Sequence, residues 1–176
     1  KGRMENIHHH NYFLGDGDYE PYSKGIFRNR VSLEKPYYYV NANAIFNPQS
    51  APAGCENLFI LVPVPDLRFK PDWSDRERIA DAIVRDLSIR TGHNIEANLR
   101  TRVVLDPVDW QNMFGLYRGS GLGLGHKMTQ VGGFRPSNRD EVLSNVWYTG
   151  ASTVPGTGLP MVIISSKLTV QRIENE

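Results

Sequence analysis

The spacing of apolar positions along this chain of 176 residues changes several times, and each spacing predicts a different element. Residues 7–14 predict a short strand, in which Ile7 and Tyr12-Phe13 flank His8-His9-His10. The three histidines also admit an expression-tag reading, against their short run and apolar flanks. Asp16-Gly17-Asp18 reads as a turn with Asp18 as a helix cap. Tyr19, Tyr22 and Ile26 then follow at helical spacing and predict a helix over 19–28. Pro36 opens an aromatic strand over 37–43. Residues 47–54 are loop by their breakers. The continuous apolar run 58–64 predicts a central strand whose pairing Pro63 ends.

The clearest helix spans 75–91, where Ile79, Ile83 and Leu87 recur every fourth residue. Ser74 and Glu77 have the spacing of a capping box, Gly92 supplies a left-handed stop, and the Arg and Asp residues form a solvated face. Residues 100–105 predict a strand, stopped at Asp106-Pro107. A short helix follows from 106–109 through Trp110, Met113, Phe114 and Tyr117.

Beyond this point ten of the sixteen glycines fall between Gly115 and Gly158. Such density costs backbone entropy and suits tight turns or close approach of the backbone to a ligand. The strand-like Val146-Trp147-Tyr148-Thr149 leads into Gly150-Ala151-Ser152-Thr153-Val154-Pro155-Gly156-Thr157-Gly158-Leu159-Pro160. A helix to about 172 follows, with Pro160 in its first turn, where a missing amide is harmless. Its N-terminus offers free amides and the positive end of a dipole. These residues alone leave two readings open: a cradle for negative charge on a ligand, or a strand–turn–helix that only packs.

Composition narrows the ligand. Twenty basic and nineteen acidic residues leave a net charge of +1, without a basic block, which argues against nucleic acid. The single cysteine, Cys55, cannot form an internal disulfide and suits a reducing cytosol. No apolar run has the ~18 residues of a membrane span. A self-contained dinucleotide fingerprint, a P-loop, zinc spacing and a serine nucleophile elbow are all absent. The first residue is Lys1, so the sequence reads as a piece of a longer chain.

The string Gly150-Ala151-Ser152-Thr153-Val154-Pro155-Gly156-Thr157-Gly158-Leu159-Pro160-Met161-Val162 resembles the C-terminal flavin-contacting segment of bacterial-type carotenoid desaturases, the phytoene dehydrogenase family. Asn112-Met113-Phe114-Gly115-Leu116-Tyr117-Arg118-Gly119-Ser120 and Gln130-Val131-Gly132-Gly133-Phe134-Arg135-Pro136 resemble two further segments of that family. His9-His10-Asn11 and Leu61-Val62-Pro63-Val64-Pro65 are similar to parts of some members. The resemblance covers most of the chain and is strongest over 107–174. Val154 departs from it, since many relatives have histidine there, which weakens any acid–base role at that position.

The resemblance implies an α/β (α+β) fold: a mixed sheet with helices from a substrate-binding domain over 1–140, then a strand–loop–helix over 141–176 belonging to a Rossmann-type FAD domain whose N-terminal part is absent. It implies FAD as cofactor, contacted by Gly150, Ala151, Ser152, Pro155, Gly156, Thr157, Gly158, Leu159, Pro160 and Met161. The implied reaction introduces conjugated double bonds into phytoene or a related polyprenoid, with quinone or oxygen reoxidising the flavin. Cytoplasmic location with peripheral membrane association, and association with another chain, follow as expectations. Arg135 is the candidate to orient the flavin or stabilise a charged intermediate; the alternative is an arginine bonding carbonyls of the Gly132-Gly133 turn. Tyr37, Tyr38 and Tyr39 belong either to a substrate tunnel or to the core. Rival functions are a carotenoid isomerase or oxygenase on the same scaffold, and a non-catalytic binder of apolar ligands.

Overall fold

Alternation of buried and half-buried side chains over Tyr38–Ala42 identifies the centre of the first half of the chain. The computed structural model describes residues 4–15, 19–26 and 35–175. Three strands, β1 (His10–Phe13), β2 (Tyr38–Ala42) and β3 (Leu58–Leu61), form a sheet in that order. Both pairings are antiparallel, with Asn11 opposite Val40 and Val40 opposite Ile60. The expectation of an α/β fold holds, and the described sheet is antiparallel rather than mixed. The run 58–64 supplies an edge strand, not a central one. Pairing stops at Leu61, before Pro63, as proline chemistry requires.

The helices are α1 (Tyr19–Ile26), α2 (Asn43–Phe46), α3 (Arg76–Thr91), α4 (Ile95–Asn98), α5 (Pro107–Phe114) and α6 (Leu159–Glu174). Of the first predicted helix, residues 27 and 28 and the Asp18 cap lie outside the described residues. The chain divides into two compact units, Lys1–Asp109 and Trp110–Glu176, a division that falls within α5. Residues 110–140 therefore fall in the same unit as α6.

In the first unit, α3 covers one face of the sheet. Val40 and Leu87 are fully buried and share a cluster with Ile7, Tyr38, Ala42 and Ile83. The Tyr38 ring stacks on Phe13, and its hydroxyl donates to Asp86 of α3 at 2.6 Å. Tyr38 therefore belongs to the core. Burial, then the bond to Asp86, pushes its phenol pKa well up. Tyr37 is buried beside Tyr22, whereas Tyr39 lies on the other face of β2 and meets His10 Nδ1 at 2.6 Å.

Two local expectations are corrected. The capping box at Ser74 and Glu77 does not form. Asp72 instead accepts from the Ser74 amide and hydroxyl, and Asp75 takes the N-cap position without a side-chain cap bond. Lys70 and Arg78 occupy the Asp75 carboxylate at 2.8 and 3.0 Å. Gly92 does close α3 in the left-handed conformation. Residues 100–105 form no strand. Arg102 there pairs with Glu77 and Asp81 of α3, a partial exception to that helix's solvated face. Asp106 then caps α5 by accepting from the amides of Val108 and Asp109.

Candidate functional site

The second unit is organised by two buried polar side chains, Asn138 and Arg135, rather than by a large apolar core. Residues 146–149 form no strand, a correction to the expected strand–loop–helix. A single antiparallel bridge joins Arg139 and Trp147. Tyr148 N–H donates to the Asn138 carbonyl at 2.7 Å, and Asp140 N–H to that of Val146 at 3.0 Å, so the segment is one rung closed by a turn. The Tyr148 hydroxyl donates to Asp140. That bond, then the amides of Leu143 and Val142, holds the Asp140 carboxyl below its usual range.

Asn138 is fully buried. Its Nδ2 faces the carbonyls of Tyr148 and Val154, the Thr153 hydroxyl and the Ser165 hydroxyl, all at 3.0–3.2 Å. Two hydrogens serve four acceptors, so the bonds are shared. Its Oδ1 accepts from Arg172. Ser165, fully buried in α6, also accepts from the Gly150 amide at 3.2 Å and lies 3.0 Å from the Thr153 hydroxyl. Thr153 in turn donates to the Gly150 carbonyl at 3.1 Å. Each hydroxyl thus finds both a donor and an acceptor, which buried polar groups require. One network fastens the start of the glycine loop to the middle of α6.

Arg135, only 4% exposed, fastens the rest. Its Nε donates to the Thr153 carbonyl, Nη1 to those of Gly125 and Gln130, and Nη2 to those of Leu124 and Ala151. The guanidinium fork therefore ties two loops together, through carbonyls other than those of the Gly132-Gly133 turn. Thr157 adds a further tie, donating to the Leu122 carbonyl at 2.7 Å.

The ten positions for which the family resemblance implies cofactor contact separate into two groups. Gly150, Ala151, Pro155, Gly156, Thr157 and Met161 are half-buried or buried within the loop. Ser152, Gly158, Leu159 and Pro160 are exposed at its rim. Gly158 sits at the N-cap of α6 with φ 114° and ψ 149°, a conformation open to glycine and essentially closed to other residues. No side chain caps the helix there. The first-turn amides of Leu159 and Met161 have no intrahelical acceptor, and Pro160 has none to offer. A Cβ on Gly150 or Gly158 would meet nothing within 4 Å, so open space borders the backbone at both ends of the loop. At Gly156 the nearest atoms would be His126 Nε2 at 3.7 Å and the Arg135 side chain at 3.8 Å. The arrangement presents uncapped amides, the positive end of a 16-residue helix and a buried cation to one loop. It can hold negative charge on a ligand approaching the rim.

Asn138, Thr153, Ser165 and Arg172 were not singled out from the sequence as site residues. Ser165 and Thr169, four apart on one face of α6, were the available signal for a polar buried face. Arg118 has a left-handed backbone, φ 56°, and its guanidinium lies 5.0 Å from the exposed Tyr117 ring. Among the described residues no group of three His, Cys, Asp or Glu could hold a metal, and no helix is long and apolar enough to cross a membrane.

No family model matches the chain. It is similar to the zeta-carotene-forming phytoene desaturase of Myxococcus xanthus, at 38% identity over 175 residues, covering 98% of this chain and 34% of that protein. The lycopene-forming phytoene desaturase of Paracoccus sp. is 33% identical over 169 residues, 95% of this chain and 34% of its own length. The 4,4'-diapophytoene desaturase (4,4'-diaponeurosporene-forming) of Staphylococcus aureus is 31% identical over 170 residues, 93% of this chain and 34% of its own. The chain thus spans about a third of the length of the curated relatives it matches. Homologues across nearly its whole length are phytoene and diapophytoene desaturases, which bears out the resemblance carried by its motifs.

Proposed function

We propose that this chain is the C-terminal part of an FAD-dependent carotenoid desaturase, which introduces conjugated double bonds into phytoene or a related polyprenoid. One observation carries the reading: the loop most like the family's flavin-contacting segment ends at an uncapped helix N-terminus, with open space beside Gly150 and Gly158. The residues present fit a flavin at this place. When bound, FAD supplies the hydride acceptor, and the protein supplies orientation and electrostatics.

In this reading the amides of Leu159 and Met161 would donate to the cofactor where negative charge grows on it. Fixed donors of this kind stabilise developing charge without reorganising. Arg135 acts as a positioning residue, whose bonds to the Ala151 and Thr153 carbonyls hold the loop in shape. Asn138 and Ser165 keep Gly150 close to α6. The second unit belongs to the flavin side and the sheet of the first to the substrate side, the remainder of a Rossmann-type domain lying in the longer polypeptide. Quinone or oxygen serves as the electron acceptor. A water-insoluble substrate implies peripheral contact with a membrane surface.

The test is turnover by the full polypeptide carrying this sequence, supplied with phytoene in liposomes and with FAD and a quinone. The expected result is a series of products absorbing at progressively longer wavelength. Bound polyene recovered unchanged, or altered only in double-bond geometry, would instead favour the apolar-ligand binder or the isomerase.

A further inference from the structure

The second unit holds a single histidine, His126, and no bond of the fold uses its side chain. Among the described residues its ring has neither a hydrogen-bond partner nor an ion pair, and the side chain is exposed. The backbone that carries it is the opposite case. Arg135 Nη1 donates to the Gly125 carbonyl at 3.1 Å on one side of His126 and to the Gln130 carbonyl at 2.7 Å on the other. The Gln130 amide donates to the Lys127 carbonyl at 2.7 Å, closing a turn directly after it. Upstream, the Leu122 carbonyl accepts from Thr157 at 2.7 Å, which ties the same segment to the glycine loop. The ring itself reaches that loop: Nε2 lies 3.7 Å from the place a Cβ on Gly156 would take, with Arg135 Cδ and Nε at 3.8 Å. Gly156, at φ 144°, keeps this place free of a side chain. It stands two residues before Gly158, the N-cap of α6. A side chain without structural bonds, on a backbone fixed by a buried guanidinium, is the arrangement of a ligand-contacting group.

We infer that His126 is a further cofactor-contacting residue, whose ring N–H donates to the flavin alongside the first-turn amides of α6. The inference rests on the proposed reading of the loop as a flavin cradle. Charge supports it. Arg135 adjoins the ring in space and Lys127 in sequence, and among the described residues no carboxylate pairs with it. The imidazole therefore has no anion of this unit to serve, and it adds a donor to a loop that already gathers positive potential. The other four histidines all belong to the first unit, so no second imidazole of this unit can take its place. A metal-binding role finds no support, since among the described residues no group of three His, Cys, Asp or Glu could hold an ion. A packing role finds none either, because the side chain is exposed.

Two variants of the full polypeptide test this: H126L, which keeps bulk without a donor, and H126Q, which restores a donor. FAD is titrated into each by quenching of flavin fluorescence, and the midpoint potential of the bound flavin is measured. Urea unfolding is followed beside them, and because the His126 side chain makes no bond within the unit, both midpoints should match the wild type. H126L is expected to bind FAD about tenfold more weakly. It should also lose about tenfold in its preference for reduced over oxidised flavin, a fall of about 30 mV in potential for a two-electron couple. H126Q should recover most of both. Unchanged affinity and potential in H126L overturn the inference. An equal loss in both variants also overturns it, since a donor at this position would then not be what matters. The two claims fail separately. A wild type that holds FAD, with H126L indistinguishable from it, refutes the role of His126 alone. A wild type that takes up no FAD refutes the cofactor reading, and this inference with it.

Discussion

Asn138 illustrates how much of the second unit depends on single side chains. Its amide faces four acceptors, and its carbonyl oxygen accepts from Arg172. Replacing it with alanine leaves the Ser165 hydroxyl and buried carbonyls short of donors. N138A should lower stability by about 2–4 kcal/mol, read as a lower urea midpoint at unchanged slope. A midpoint shift within error would show that the network is replaceable by water. Gly158 is a different case. A Cβ there meets open space, so the strain of G158A arises from the backbone at φ 114° and ψ 149° rather than from a clash, and costs about 1–3 kcal/mol. Thermal unfolding of that variant without loss of Tm would contradict the loop geometry. The glycines were legible from sequence because their density has few other uses. Asn138 was not, because an asparagine after Pro136-Ser137 reads equally well as a turn residue, and its burial follows from distant partners in α6.

At the scale of elements, the periodic signal was dependable, while the terminal signals divided: the Gly92 stop and the Asp106 start held, and the Ser74 capping box did not. Ile79, Ile83 and Leu87 marked α3 correctly, since burial of a stripe is decided by every turn of the helix at once. Its start was placed within a residue, and only its capping box was misjudged, because Asp72 competes for Ser74. Residues 101–105 do alternate in exposure, yet no neighbouring strand pairs with them. Alternation reports extended backbone and says nothing about a ladder. The aromatic strand β2 was legible, and its setting has a pH consequence. Burial, then repulsion from Tyr19, pushes the Tyr22 phenol up to about 12. A raised native value means that this group's contribution is fully present below the unfolded value of about 10 and is lost as pH rises through the native one. Stability of the first unit should therefore fall between about pH 10 and pH 12. Tyrosinate absorbance at alkaline pH should show a late class of tyrosines ionising together with loss of helical circular dichroism. Ionisation of every tyrosine near the ordinary value, with the fold intact, would contradict this.

For the whole molecule, motif and composition gave complementary information. The balanced charge argued against polyanion partners, and the loop from Gly150 to Met161 led to the family whose members match nearly the full chain. That residues 110–140 share a unit with the glycine loop was not legible, because the bonds of Arg135 to carbonyls of both carry no sequence signature. The polar buried side of α6 had only the pair Ser165 and Thr169 as its signal, at a spacing that the apolar residues of the helix share. The central claim is that the loop and the helix start form a flavin cradle. Its most direct test is the visible absorption spectrum of the full polypeptide after addition and removal of excess FAD, with G158V beside the wild type. The account predicts bound-flavin bands in the wild type and their loss in G158V, whose side chain would occupy the open space at the rim. A colourless wild type, or bands undiminished in G158V, would contradict it.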